Sequence, residues 1–286
     1  MAVLDFVQTD AITSWIQERI YTVSQARAIF STKNVKGQAV LFPVASTGSA
    51  KAYTSGMSLV NTNVTSSNIT IDLDQSVYDM QNIDTVDNAK SAQEIMPQVA
   101  SAMGDVFARW IDGKAYTAVY TAGIASGMSS AALGVTTAPI TVNTTALLET
   151  LILNVRTELV KQDIPLSESF LILPPELGTL AAKLTANSYR VSQAEAAWAS
   201  GYITTAYGIN IYESNNLEIP ANGERSFIFG LKNAACIAIG FEVTQVGSSM
   251  PVKLGEYVMQ VFNGGFGANN PALVGAGVVV ETGAVA

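Results

Sequence analysis

The sequence predicts an α+β fold of one or two closely joined units, and three observations carry that prediction. Apolar residues recur at helical spacing in two stretches of the first half, around Trp15 and around Trp110. Between these stretches, and again near the C-terminus, stand short runs rich in Val, Ile, Phe and Tyr of the kind that form strands. After Thr141 helical and strand-like segments alternate, an α/β rhythm distinct from the first half.

From about Thr9 to Ile29 the positions Ile12, Trp15, Ile16, Ile20 and Val23 share one helical face, with Thr9 or Asp10 as cap. One amphipathic N-terminal helix is expected. The period then changes: Ala39-Val40-Leu41-Phe42-Pro43-Val44 and Asn68-Ile69-Thr70-Ile71-Asp72-Leu73 read as strands separated by a polar stretch rich in Ser, Thr, Gly and Asn. They predict a long two-stranded arm. A ribbon of two strands is marginally stable alone in water, so the arm lies either on its own domain or on a neighbouring subunit.

After Asp87 the positions Val99, Met103, Val106, Phe107, Trp110 and Ile111 form the strongest helical stripe in the chain. The longest helix is expected there, from about Met96 to Tyr116 and ~30 Å long at 1.5 Å per residue. Pro97 is tolerated because it falls in the first turn, where its missing N–H has no helical partner. Residues Thr121 to Thr145 carry hardly a charge and read as a connector, with a subdomain boundary near Thr141. There follow a helix from Thr145 to Gln162, a strand at Phe170-Leu171-Ile172-Leu173 and a helix from Glu176 to Leu184 behind Pro174-Pro175. Strands are expected at Ile209 to Tyr212, Ser226 to Ile239, Tyr257 to Phe262 and Leu273 to Val280.

Composition narrows the function. At 286 residues the chain can bury a core without staples, yet charged residues make up 13% and apolar ones 49%. An ordinary soluble domain carries roughly 25% charged residues, so this surface suits burial against other subunits. A net charge of -8 argues against a basic face that grips phosphates. There is no histidine, which removes Ser-His-Asp and Cys-His machinery, histidine-ligated zinc and the usual proton shuttle. The chain is expected not to be an enzyme, with no catalytic, cofactor-binding or metal residues and no cofactor.

The remaining candidates for chemistry have plainer readings. Asp72 and Asp74 share the solvated side of a strand whose apolar side is Ile69, Ile71 and Leu73. Asp84 and Asp87 stand where a helical pattern begins and read as helix-capping acids. Asn263-Gly264-Gly265-Phe266-Gly267 lacks the Lys-Ser/Thr of a phosphate loop and reads as a turn. Cys236, the single cysteine, sits in the apolar run Ala234 to Gly240 as a small buried hydrophobe. The Asn-x-Thr triplets at Asn63, Asn68 and Asn143 are chance matches in Thr-rich strands. No segment approaches the ~20 apolar residues of a membrane span, and no secretory leader precedes the first helix.

The order of elements resembles the major capsid proteins of tailed bacteriophages, the Hong Kong 97 type. Val40-Leu41-Phe42-Pro43-Val44 through Gly56 to Ile69-Thr70-Ile71-Asp72, then Tyr78-Asp79-Met80 and Ile83-Asp84, is similar to that family's extended loop running into its peripheral domain. Gly104-Asp105-Val106-Phe107-Ala108-Arg109-Trp110-Ile111-Asp112 resembles its spine helix. Leu159 to Pro165 with Phe170-Leu171-Ile172-Leu173-Pro174-Pro175-Glu176 resembles its segment of helix, Pro-containing loop and strand. Gly201-Tyr202-Ile203 and Tyr207-Gly208-Ile209-Asn210-Ile211-Tyr212-Glu213-Ser214-Asn215-Asn216-Leu217 resemble the axial-domain run that ends in Ser-Asn. The series is specific where no single motif is. Pro97 near the spine-helix start and the patternless tip of the arm depart from it.

The resemblance implies an N-terminal arm at 1–34, an extended β-hairpin loop at 35–75, a peripheral domain with spine helix at 76–140 and an α/β axial domain at 141–255. C-terminal strands at 256–286 are expected to return to the peripheral domain. It implies a structural major capsid protein that assembles with itself as hexamers and pentamers into an icosahedral head around double-stranded DNA, contacted non-specifically. A scaffolding protein, a portal and a decoration protein are the implied partners, with no membrane. The expected location is the virion, after synthesis in the bacterial host cytoplasm. Because Met1 opens almost directly on a helix, a separate scaffolding protein is expected rather than an internal leader. Lys51 is the one lysine between Gly37 and Lys90 able to donate an isopeptide crosslink, and no crosslinking is expected. The rival reading is an encapsulin-type nanocompartment shell protein of the same fold. A surface-layer protein and a carboxylate-only enzyme are more distant alternatives.

Overall fold

Isoleucines one turn apart wind the start of the chain into helix α1, Ala2–Val23, with Ile12, Ile16 and Ile20 fully inward. The structure, a computed structural model, describes residues 2–45, 55, 66–84, 95–125, 128–186, 201–221, 223–248 and 255–280. Helix α1 begins earlier than expected, because no Gly or Pro interrupts Ala2 to Gln8, so Thr9 and Asp10 are interior residues and not caps. It also ends earlier. Ser24 turns extended at φ -70°, ψ 110°, and its hydroxyl accepts the Arg27 N–H to start a second helix, α2, Gln25–Ile29. Trp15, expected on the buried stripe, lies on its flank and is 40% exposed.

Strand β1, Ser31–Asn34, leads to the arm, where β2, Ala39–Ala45, pairs antiparallel with β3, Ser66–Asp72, from Ala39 opposite Asp72 to Ala45 opposite Ser66. The expected ribbon is therefore present at its base, and the tip with Lys51 and Asn63 lies outside the described residues. Strand β4, Gln75–Asp84, follows at once. Asp84 is its last residue, opposite Gly255, and not a helix cap; Asp87 lies outside the described residues. No strand is expected here from sequence, because the apolar alternation is inverted: Tyr78 and Met80 face solvent while Gln75, Asp79 and Gln81 are half-buried.

The spine is helix α3, Ile95–Ala125, at 31 residues longer than expected and about 46 Å in length. The Ala- and Thr-rich residues that read as the start of a connector continue it, since such residues are helix-compatible wherever tertiary packing supports them. Its buried face is Ala100, Met103, Phe107, Ile111, Ala115, Tyr116 and Val119. Val106, expected on that face, is 52% exposed. Pro97 occupies the first turn, as predicted.

Beyond it come β5, Ile140–Thr141; helix α4, Thr145–Lys161, capped by Thr144; β6, Ser169–Leu173; and helix α5, Pro175–Ala186. Strands β7, Tyr202–Ala206, and β8, Ile209–Glu213, precede β9, Glu224–Leu231, and the long strands β10, Ala235–Ser248, and β11, Gly255–Ala268. The chain ends in β12, Val274–Val280. Two main sheets result, ordered β1-β10-β11-β4 and β5-β12-β9-β6-β8-β7. The segment 256–286 thus divides between them, with β11 in the four-stranded sheet and β12 in the six-stranded one, while β10, inside 141–255, belongs to the four-stranded sheet.

Alternation within the six-stranded sheet decides the layering. Phe170, Ile172, Ile228 and Ala276 point to a core shared with α1, α2, α3 and the four-stranded sheet. Leu171, Leu173, Phe227 and Phe229 point the other way, to a second core under α4 and α5. Both faces are buried, so these strands read as continuous apolar runs. The spine helix reaches β12 through Gly123, where a Cβ would come within 2.7 Å of the Gly275 carbonyl carbon. No side chain fits on the helix there.

Candidate assembly surfaces

Ser24, which breaks the N-terminal helix, also fastens it. Its hydroxyl donates to Asp112 Oδ1 at 2.7 Å, and the Ala26 and Gln25 amides donate to Oδ1 and Oδ2 at 3.0 and 3.2 Å. One carboxylate on the spine helix thereby satisfies three donors of the α1–α2 junction. Burial raises the Asp112 carboxyl above the ordinary aspartate range, against the pull of these bonds and of Arg27. One turn on, the Tyr116 hydroxyl donates to Gln25 Oε1 at 2.8 Å, and Gln25 Nε2 donates to the Glu213 carbonyl at 3.2 Å. The junction, the spine and the six-stranded sheet are thus tied at one point. Beneath α1, Arg27 lies 3.8 Å from Glu242 and stacks under the Tyr21 ring at 4.7 Å. Burial raises the Glu242 carboxyl, and Arg27 opposes the shift.

The arm has a separate seat. Phe42 and Ile71 pack on Cys236 and Ala238 of β10, with Val35, Val40, Ile69 and Leu73 around them, and Lys33 lies 4.3 Å over the Phe42 ring. The glycine-rich stretch at 263–267 makes this seat possible. It is the second half of β11 and not a turn, because its glycines let β3 cross directly above it. A Cβ on Gly265 would lie 2.1 Å from the Asp72 carbonyl oxygen, and one on Gly267 3.1 Å from Ile71 Cδ1. Leu41, on the other side of β2, is 61% exposed.

A further apolar surface is the outer face of the four-stranded sheet. Register aligns Tyr78, Val261 and Val243 in one row across three strands, with Met80 and Met259 in the next. Tyr78 is 73% exposed, Met80 46% and Val243 41%. Sequence reasoning placed Tyr78 and Met80 where the extended loop runs into the peripheral domain and assigned them no exposed face; the inverted alternation in β4 was the available signal.

The sequence-selected candidates for chemistry stay apart. Asp72 and Asp74 are exposed beside half-buried Leu73, and Cys236 is buried, with its thiol raised by desolvation. Asn68 and Asn143 are exposed, Asn68 within β3. Among the described residues no group of three or more His, Cys, Asp or Glu gathers to hold a metal ion, and no helix is long and apolar enough to cross a membrane.

A spine helix between two sheets, a ribbon seated on glycine and uncharged outer faces define a structural subunit of the Hong Kong 97 type. A family model described as phage capsid protein matches residues 82–280, and the chain belongs to that family. The capsid of Ralstonia phage GP4 superposes with a TM-score of 0.66 at 14% identity, over 93% of this chain and 90% of that one. A structure from Mycobacterium phage Che8 gives 0.60 at 18% identity, over 87% and 86%. A virus-like particle from Pyrococcus furiosus gives 0.56 at 10% identity, over 94% and 99%. Likeness at these identities concerns fold alone. No curated protein matches the sequence.

Proposed function

We propose that this chain is the major building block of an icosahedral phage head, assembling as hexamers and pentamers around double-stranded DNA. The observation that carries the reading is the family match across 82–280 together with a ribbon arm whose base is seated and whose outer side exposes Leu41. Low charge suits repeated burial of one copy against another, and the net charge of -8 suits a container that does not adhere to its genome. The domain division is an N-terminal arm at 1–34, whose β1 edges the four-stranded sheet, an extended loop at 35–75, a peripheral domain of α3 with β4, β10 and β11, and an axial domain of the six-stranded sheet with α4 and α5. A scaffolding protein directs assembly in the host cytoplasm, a portal occupies one vertex, and decoration proteins bind the finished surface. The mature shell is not covalently crosslinked through Lys51.

The second reading is a nanocompartment that holds cargo proteins, supported by the likeness to the Pyrococcus furiosus particle. That likeness has a lower TM-score than the capsids quoted. Electron microscopy of the chain coexpressed with its neighbouring genes tests the main reading: closed polyhedral particles are expected, and a persistent monomer overturns it. Portal and terminase genes beside this one favour the head, and a cargo enzyme gene favours the compartment.

A further inference from the structure

Arg27 is charged, buried and short of acceptors. Its side chain is 2% exposed, and among the described residues none of Nε, Nη1 and Nη2 makes a hydrogen bond. Glu242 stands 3.8 Å from Nη2, near enough to offset charge but too far to accept a hydrogen bond, and its own Oε1 is equally unused. A guanidinium carries five N–H donors in a planar fork, and leaving them unmade in a dry place is costly. The local sequence offers no remedy. Between Glu18 and Asp72 stand Arg19, Arg27, Lys33, Lys36 and Lys51, and no acid.

The place opens outward. Tyr21, 56% exposed, covers the guanidinium with its ring, and Tyr21 and Glu242 both line a cavity of about 340 Å³ between α1, the end of β1 and β10. Gln17, Asn34 and Lys36 add polar walls. The other charges nearby are engaged or turned elsewhere: Lys33 is held over the Phe42 ring, Arg19 is paired with Asp105, and Glu18 lines a separate groove beside Pro97. Arg27 and Lys36 set against Glu242 leave the cavity one positive charge in excess.

We infer that this cavity receives an Asp or Glu carboxylate from a second copy of the chain, which turns the Tyr21 ring aside and accepts the unmade N–H bonds of Arg27. One carboxylate balances the charge, and its two oxygens match two N–H groups of the fork. A phosphate would instead crowd more negative charge against Glu242. The chain holds 23 acidic residues against 15 basic ones, so copies brought together present carboxylates in surplus, with Asp72 and Asp74 among the exposed ones. Arg27 is thus a poorly satisfied group in the single subunit and a contact between subunits. The pairing rests on the self-assembling shell reading.

The test is zero-length coupling in assembled shells. Arg27→Lys puts an amine in the site, and a water-soluble carbodiimide joins an amine to a carboxylate in direct contact with it. Shells grown from a mixture of light and heavy nitrogen-labelled chains separate coupling within a copy from coupling between copies. Mass spectrometry is expected to find mixed-isotope peptides that join the introduced amine to an Asp or Glu. No coupling, coupling to Glu242 of the same copy alone, or coupling to a different virion protein overturns the pairing and leaves the shell reading intact. If Arg27→Lys does not assemble, Lys36 in shells of the unsubstituted chain supplies the amine and decides alone. A second measurement separates assembly from folding. Arg27→Met with Glu242→Gln removes both charges, and replacing a buried ion pair in this way is often neutral or stabilising. The unfolding midpoint of the free subunit is therefore expected to hold or rise while shell yield falls several-fold. A midpoint and a yield that fall together make Arg27 a support of its own subunit and overturn the pairing, as does an unchanged yield. Absence of shells from the unsubstituted chain overturns both readings.

Discussion

Ser24 donates its hydroxyl to Asp112 at 2.7 Å across 88 positions of the chain, joining the break between two N-terminal helices to the spine. Replacing Asp112 by Ala orphans that hydroxyl and two backbone amides in a buried place. The expected loss is roughly 3 kcal/mol or more in denaturant unfolding of the free subunit. Asp112→Asn keeps one acceptor oxygen and should lose less.

Two buried carboxyls set a pH dependence. Asp112 and Glu242 are both raised above their ordinary range, chiefly by burial. A carboxyl that binds its proton more tightly folded than unfolded adds stability below its unfolded pKa, and that increment is lost as pH rises through the folded value. Over the window between ordinary and raised values the unfolding midpoint should therefore gain from these two sites on acidification. Glu242→Gln should flatten its share of that slope in midpoints measured across mildly acidic pH. An unchanged slope would contradict the assignment.

Gly265→Ala places a methyl group where the Asp72 carbonyl already lies. The base of β3 must lift from β11, so protease cleavage within the arm base should rise sharply while the α4–α5 layer keeps its hydrogen-exchange protection. Equal protection of the arm base in both proteins would disprove the seat.

Phe42→Ala removes the largest side chain of the small cluster that holds β2. The expected loss is about 3 kcal/mol of local stability. Shell yield should fall more than subunit solubility, as read by sedimentation of assembly reactions.

Mature shells boiled in denaturant should run as monomers in electrophoresis, with no ladder. Lys51→Arg should leave that pattern unchanged.

What the sequence revealed of this architecture follows a physical rule. Elements whose apolar residues face their own neighbours were legible: Ile12, Ile16 and Ile20 in α1, Met103 and Phe107 in the spine, and the runs around Phe42 and Leu171. Elements shaped by something distant were not. Gly265 and Gly267 read locally as part of a turn because the strand crossing above them comes from Ile71 and Asp72, far away in sequence. Strand β4 was hidden because its apolar side faces outward. The Asp112 node was illegible for the same reason as the glycine seat, since its donors arrive from another helix. Exposed apolar residues stand where local pattern and local core disagree, as at Tyr78 and Val106.

The long spine helix has a mechanical consequence. It is gripped along its length by both sheets, with Trp110 wedged against Phe262 and Phe266 at 5.7 Å and Gly123 against Gly275. Bending it in the middle would shear two strand layers at once, whereas the ribbon is held at its base by a few side chains. Load applied to such a subunit is carried through the beam with little deflection, and compliance is concentrated at the ribbon's foot. In a lattice of such subunits the spine would hold each tile's shape, and a change of curvature would be taken up at the ribbon's foot before it bent the tile.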